Sequence, residues 1–180
     1  MEALECIKTR RSIRKYKEQA VTEQDILNII ENAAYAPRWK NTQTSRYIAV
    51  LDSELKNRLA TECMMNFEFN ENTVKNAPAI VVLTTINERS GYERDGSFST
   101  SKGTHWQSFD AGIAAQTFCL SAHALGMATV IMGIFDECKV AELLQIPDNQ
   151  SVSAVIVLGY ADEEPQAPKR KEVAELVVCR

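Results

Sequence analysis

Apolar residues recur along this chain in two periods, and the change from one to the other separates helices from strands. Ile26, Leu27, Ile29, Ile30, Ala33 and Ala34 form a stripe at helical spacing. Thr22 is placed to cap that helix, and Pro37 to end it, because the residue before a proline is driven out of the α region. A short helix is read over residues 2–8, followed by a polar connection at Lys8–Lys17. The segment Arg38–Ser45 reads as a polar loop and Arg46–Leu51 as a strand. Ser53 is expected to cap a helix with Leu55 and Leu59 on one face, running towards Met64.

Ala79–Ile86 (AIVVLTTI) is a continuous apolar run, the pattern of a strand buried on both faces. Asn87–His105 gathers Gly, Ser, Thr, Asp and Arg without a period and reads as a mobile loop. Trp106–Leu125 is apolar nearly all round, as a buried helix is. A strand at Ala128–Gly133, a helix near Glu137–Leu144 closed by Pro147, and a strand at Val152–Gly159 follow. The tail from Ala161 is Pro-rich and charged until Val173. About four strands and five helices in mixed order predict an α+β domain, its helices packed on a central sheet.

No charged residue occurs between Ala111 and Phe135, a span long enough to cross a bilayer. Gln116, Thr117, Ser121, His123 and Thr129 interrupt it, and Gly126 falls where a helix stops, so helix plus strand is the better reading. No membrane association is expected. The 180 residues fit one domain over 1–180, with 45% apolar and 24% charged residues typical of a globular chain. A net charge of −4 opposes general nucleic-acid binding. Five scattered cysteines without a CxxC pair read as reduced thiols in a cytoplasmic protein, with no metal site expected.

Three stretches carry candidate chemistry. The window 8–17 holds six basic and no acidic residues. In extended chain Arg10, Ser12 and Arg14 share a face, and the planar fork of arginine suits phosphate. A solvated loop or an RNA contact would look the same. Asn41 and Gln43 offer paired amides suited to the edge of a planar heterocycle, although an ordinary turn would also use them. The block Asp110–Gln116, then Leu125-Gly126 and Ile131-Met132-Gly133, reads as interior, with Gly133 allowing close approach of backbone to a ligand. No GxGxxG occurs, which argues against a dinucleotide held in the Rossmann manner. His123 reads as a packed, hydrogen-bonded residue and His105 as a loop-border residue that could face a site. Neither has a nucleophile partner in sequence.

Taken in order, RRSIR, AP…N-x-Q, the apolar D-x-G helix with its terminal L-G, and a late basic cluster resemble the nitroreductase family over essentially the whole chain. The resemblance implies a nitroreductase-like fold with a mostly antiparallel sheet of four to five strands, in a homodimer. It implies FMN, with Arg10, Arg11, Ser12 and Arg14 on the phosphate and ribityl chain. Asn41 and Gln43 would line the flavin from the partner subunit, the backbone at Met132 and Gly133 would lie by the ring, and Arg170, with Lys169 beside it, would return to the phosphate. The implied activity is ping-pong reduction of nitro compounds, quinones or similar acceptors by NAD(P)H. Ene reduction, dehalogenation or flavin fragmentation are alternatives within the family, and a non-catalytic basic-loop module is one outside it. Thr44, where many relatives have proline, and the large Arg38, Trp39 and Lys40 depart from the usual pattern beside the site.

Overall fold

The unbroken apolar run Ala79–Ile86 becomes β2, an interior strand whose residues are buried from Ala79 to Thr85. Its side chains alternate between two cores, which is why it shows no polar alternation. The structure, a computed structural model, describes residues 1–180. Around β2 the chain forms α1 (Ala3–Thr9), α2 (Glu23–Ala33), β1 (Ser45–Val50), α3 (Ser53–Cys63) and α4 (Glu68–Lys75). After β2 come α5 (His105–Ala124), β3 (Ala128–Met132), α6 (Glu137–Leu143), β4 (Gln150–Gly159) and α7 (Val173–Leu176). The four strands lie in the order β1-β2-β4-β3, every neighbouring pair antiparallel.

Val81 and Leu83 of β2, with Ala154, Ile156 and Leu158 of β4, face Ile26 and Ile29 of α2 and Ala115 and Phe118 of α5. The opposite residues Ile80, Val82, Val155 and Val157 meet Leu59 and Cys63 of α3, Val74 of α4 and Val140 of α6. Each large apolar side chain so buried stabilises the fold by roughly 1.5–3 kcal/mol. The β2–β4 register shifts after Leu83, which pairs with Ala154 while Thr84 pairs with Val152. That bulge leaves Ser153 as the extra residue and returns Val152 to the second core.

The helix ends follow local chemistry. Thr22 accepts from the Asp25 N–H at 3.1 Å and Asp25 returns a carboxylate to the Thr22 N–H at 2.9 Å, a reciprocal cap. Helix α2 ends at Ala33, three residues short of the stop expected from Pro37. The third helix is capped by Asp52, not Ser53: the Asp52 carboxylate accepts from Leu55 N–H at 2.8 Å. Gly126, at φ +82°, ends α5 by bringing Met127 N–H back to Ala122 O at 2.8 Å.

Two helices escaped the pattern. In α4 only Asn70, Thr73 and Val74 are buried, so no apolar stripe marks it, and α7 is a single exposed turn. The structure therefore has seven α-helices where five were expected. Helix α5 is also less enclosed than its composition implies. Phe109, Gly112 and Gln116 lie on one exposed side. No helix is long and apolar enough to cross a membrane. The Asn87–His105 segment is a chain of turns, closed by a bridge between Tyr92 and Phe98.

Candidate functional site

Past α1 the backbone extends at Arg10 (φ −55°, ψ 131°) and runs along the outer edge of β3. Ser12 bridges to Thr129, and Ile13 N–H donates to Thr129 O at 3.0 Å. Further on, Tyr16 pairs with Ala161, and Lys17 N–H reaches Tyr160 O at 2.9 Å. Extended geometry then sorts the side chains: Ile13 is buried, while Ser12 and Arg14 turn to the open side. Gly159 makes this crossing possible, since a Cβ there would sit 2.7 Å from both Tyr16 and Pro78.

The arginines are not equivalent. Arg11 folds back, its guanidinium donating to Lys8 O at 2.7 Å and Arg10 O at 2.8 Å, and so closes the end of α1. Arg10 and Arg14 form no ion pair; the side-chain ion pairs are Lys40–Glu93 and Arg58–Glu62. One carboxylate oxygen of Glu163 accepts from the backbone N–H of Arg14 at 2.6 Å and of Lys15 at 3.2 Å. This clasp holds the strand-like backbone and leaves the Arg14 guanidinium 5.5 Å above the Phe69 ring.

Arg14 shares a hollow of about 290 Å³ with Phe67, Phe69, Met132 and Gly133. The strand exit beneath it is fixed by Asn70, whose side-chain amide donates to Ile134 O at 3.1 Å. Arg10 and Arg11 border a larger hollow of about 690 Å³ with His123, Thr129 and Gln166. Gln43 lies in a third, with Arg38 and Arg46. Lys169 and Arg170 are exposed on the tail, beside Glu172 and Glu175. The structure thus brings Arg14 to Met132 and Gly133, and Arg10 to the neighbouring edge. Within one chain it does not bring Asn41, Gln43, Lys169 or Arg170 to them.

The 38–44 segment is bent hard. Lys40, Asn41 and Gln43 have φ of 41°, 53° and 49°, a left-handed conformation that non-glycine residues adopt only when held. What holds it is Asp110 on α5, 3% exposed. One oxygen of its carboxylate accepts from Trp39 N–H at 3.0 Å and from the Ser90 hydroxyl at 2.7 Å. The Trp39 ring packs 4.7 Å from that of Trp106, and Lys40 reaches Glu93 at 3.1 Å. Asp110 therefore ties the amide-bearing turn, the 87–105 segment and α5 together. In sequence Asp110 reads only as part of an interior block, with no partner in view. Thr44, the departure from proline, is buried with its hydroxyl unpartnered, as is the hydroxyl of Thr42.

His123 is hydrogen-bonded as expected, its ring nitrogen 2.9 Å from the Thr9 hydroxyl, but it is half-buried and borders the Arg10 hollow instead of packing in the interior. Burial, with Arg10 and Arg11 nearby, holds it below the ordinary histidine range. His105 stands exposed at the start of α5. Cys6, Cys63 and Cys119 are buried and Cys138 and Cys179 exposed, none of them in a disulfide.

The nitroreductase family model matches residues 7–160, from α1 through the end of β4. The chain belongs to the nitroreductase family. A relative from Archaeoglobus fulgidus, provisionally named an NADH dehydrogenase/NAD(P)H nitroreductase, is 31% identical over 91% of this chain and 87% of its own. The structure of a nitroreductase family protein from Clostridium novyi NT is 32% identical, with a TM-score of 0.78 over 91% of this chain and 87% of that one. An FMN-dependent nitroreductase from Clostridium difficile R20291 is 30% identical, with a TM-score of 0.73 over 92% and 91%. The four-stranded antiparallel sheet flanked by helices is the nitroreductase fold.

The donor set here fits a nucleotide monophosphate. Two guanidiniums without carboxylate partners, Arg10 and Arg14, and the half-exposed Ser12 between them lie on one extended segment, the arginines bordering separate hollows. Charge-assisted bonds from such forks are the strong ones, and a dianion needs several. The strand end at Met132–Gly133 lies in the hollow with Arg14, and no atom lies within 4 Å of where a Cβ would stand on Gly133.

Proposed function

We propose that this nitroreductase-family chain is one FMN-binding domain over residues 1–180 that works as a cytoplasmic homodimer. It uses NAD(P)H to reduce nitro compounds, quinones or similar small acceptors. Supporting this most directly is the hollow that places Arg14 against Met132 and Gly133, with the unpaired Arg10 on the same segment in a separate hollow. Arg10, Ser12 and Arg14 bind the phosphate and the start of the ribityl chain. Arg11 contributes through its placement of Arg10, since its own guanidinium closes α1. Backbone at Met132 and Gly133 lies against the ring. Bound FMN supplies the hydride chemistry; the chain supplies position and charge.

The second subunit is needed because Asn41 and Gln43 lie in or beside a hollow separate from that of Arg14. An isologous contact returns each amide turn to the other chain's flavin. The exposed apolar side chains Leu4 and Ile7 of α1, Phe109 of α5, and Val173 and Leu176 of α7 are the surface such a contact would cover. Lys169 and Arg170, on the exposed tail, reach a phosphate in that assembly.

With one mononucleotide site and no second nucleotide fingerprint, donor and acceptor visit the same flavin in turn. Initial rates measured with NADH or NADPH against menadione and a nitroaromatic should give parallel double-reciprocal lines, and donor alone should bleach the flavin. Intersecting lines would show a ternary complex and remove the shared-pocket mechanism.

A further inference from the structure

Two hollows follow one another along β3. Residues 126–129 border the larger, of about 690 Å³, with Arg10, and residues 130–134 border the one with Arg14. Ser12 stands between them, bridged in parallel to Thr129. An extended strand covers about 13 Å from Thr129 to Gly133, so a flavin with its ring at Gly133 sends its phosphate back past Ser12 towards Arg10. We propose that His123, which borders the larger hollow, is a further phosphate-binding residue: it takes up a proton as the phosphate dianion of FMN arrives, and so couples cofactor affinity to pH. The proposal rests on the flavin reading above.

Helix α1 fixes the imidazole. Thr9 donates its hydroxyl proton to Glu5 O at 2.7 Å, so its oxygen accepts from His123 Nε2, 2.9 Å away, and Nε2 carries the proton of the neutral ring. Nδ1 is then the nitrogen left to gain one. Thr9 lies on the face of α1 turned to α5, as does Cys6, whose thiol approaches Leu120 O at 3.4 Å. Leu4 and Ile7, the part of α1 given above to the second subunit, lie on its opposite, exposed face. His123 is therefore held by its own chain.

The charges around it set the sense of the coupling. Arg10 and Arg11 come from the extended segment, Glu5 from α1, and Glu163 and Glu164 from the tail, and Met1 borders the hollow as well. Burial and the two arginines hold the free imidazole below the ordinary histidine range, so it is mostly neutral near pH 7. The two arginines and the two tail glutamates cancel in formal charge, and α5 ends here with the negative pole of its dipole. An entering dianion therefore gains from an added proton, and His123, in the last turn of α5, is placed to carry it.

The sign follows from linkage. Binding takes up a proton, so affinity rises as pH falls from about 8.5 to about 6.5, and the rise stops near pH 6, where the phosphate itself loses its second charge. The chain has two histidines, so His105→Gln, at an exposed position, leaves one imidazole signal in the proton NMR spectrum. The titration midpoint of that signal should rise by about one pH unit or more when the protein is loaded with FMN. Riboflavin, which lacks the phosphate, should leave it at the bare-chain value. A midpoint unmoved by FMN, or moved equally by riboflavin, would overturn the proposal.

Affinity gives the second readout. By flavin fluorescence titration, the parent should bind FMN about threefold more tightly than His123→Gln at a pH of about 6.5, and equally at about 8.5. Glutamine keeps a donor for Thr9, and the amino group of Met1, which titrates nearer 8, is common to both proteins and drops out of the comparison. Weakening of the variant by one factor at both pH values would show a structural contact and overturn the proton linkage. If FMN binds and the His123 midpoint stays still, only this assignment fails. If no flavin is retained, the flavin reading fails, and the midpoint is measured on the bare chain with and without inorganic phosphate. A midpoint raised by phosphate would still support the anion site at His123, and an unmoved one would overturn it.

Discussion

Arg14→Ala is expected to weaken FMN binding by about 10- to 150-fold, while Lys17→Ala changes it by less than about twofold. The two residues lie on the same extended segment and carry the same formal charge, so net charge cannot explain a difference. Position can. The Arg14 guanidinium stands in the hollow with Met132 and Gly133, stacked over Phe69 and free of any carboxylate. A charge-assisted bond from such a fork to phosphate is worth roughly 1.5–3 kcal/mol, whereas a solvated lysine contributes little. Lys17 is exposed, and only its backbone N–H is engaged, to Tyr160 O. Flavin fluorescence titration of both variants decides this, and equal dissociation constants would withdraw the phosphate assignment.

The second large effect concerns Asp110, a positioning residue. Asp110→Ala strands two donors at once, the Trp39 N–H and the Ser90 hydroxyl, with each unsatisfied group costing about 1–3 kcal/mol. The variant should lose about 2–5 kcal/mol of stability by chemical denaturation, and Asp110→Asn, which keeps an acceptor oxygen, about half as much. Because Asp110 also restrains the left-handed turn carrying Asn41 and Gln43, the folded variants should bind FMN more weakly and show an altered flavin visible circular dichroism spectrum. A stable Asp110→Ala protein with parent-like flavin spectra would show that the turn holds itself.

These two residues differ in how far the sequence announces them. Arg14 is legible because its chemistry lies in its own neighbourhood: alternate residues of an extended basic segment share a face. The role of Asp110 is not, since its partner Trp39 lies 71 residues away in sequence and the bond exists only once α5 packs on the sheet. Asn70 is similar, its amide meeting the carbonyl of Ile134 64 residues on. The strands β2 and β4 are plain in sequence because burial on both faces leaves long apolar runs, Ala79–Leu83 and Ala154–Leu158. Helix α4 is obscure for the opposite reason, resting on Val74 and two polar residues. The fate of Arg11 depends on where α1 ends, a local fact its pattern does not reveal.

Lys169 and Arg170 mark the remaining gap. The resemblance implies that they reach the phosphate; Glu163 and Gln166 hold the preceding segment beside Arg14 and Arg10, but Lys169 and Arg170 beyond it are exposed and border neither hollow. In the proposed homodimer the second subunit would place that arm and return Asn41 and Gln43 to the flavin.

All of this turns on one cofactor in one place. Mass spectrometry of the small molecule released by heating the purified protein, quantified against the chain, tests it most directly. The account predicts FMN, at about one per chain after reconstitution, because the donor set fits a single monophosphate. FAD in its place, or no flavin retained in excess FMN, would contradict it.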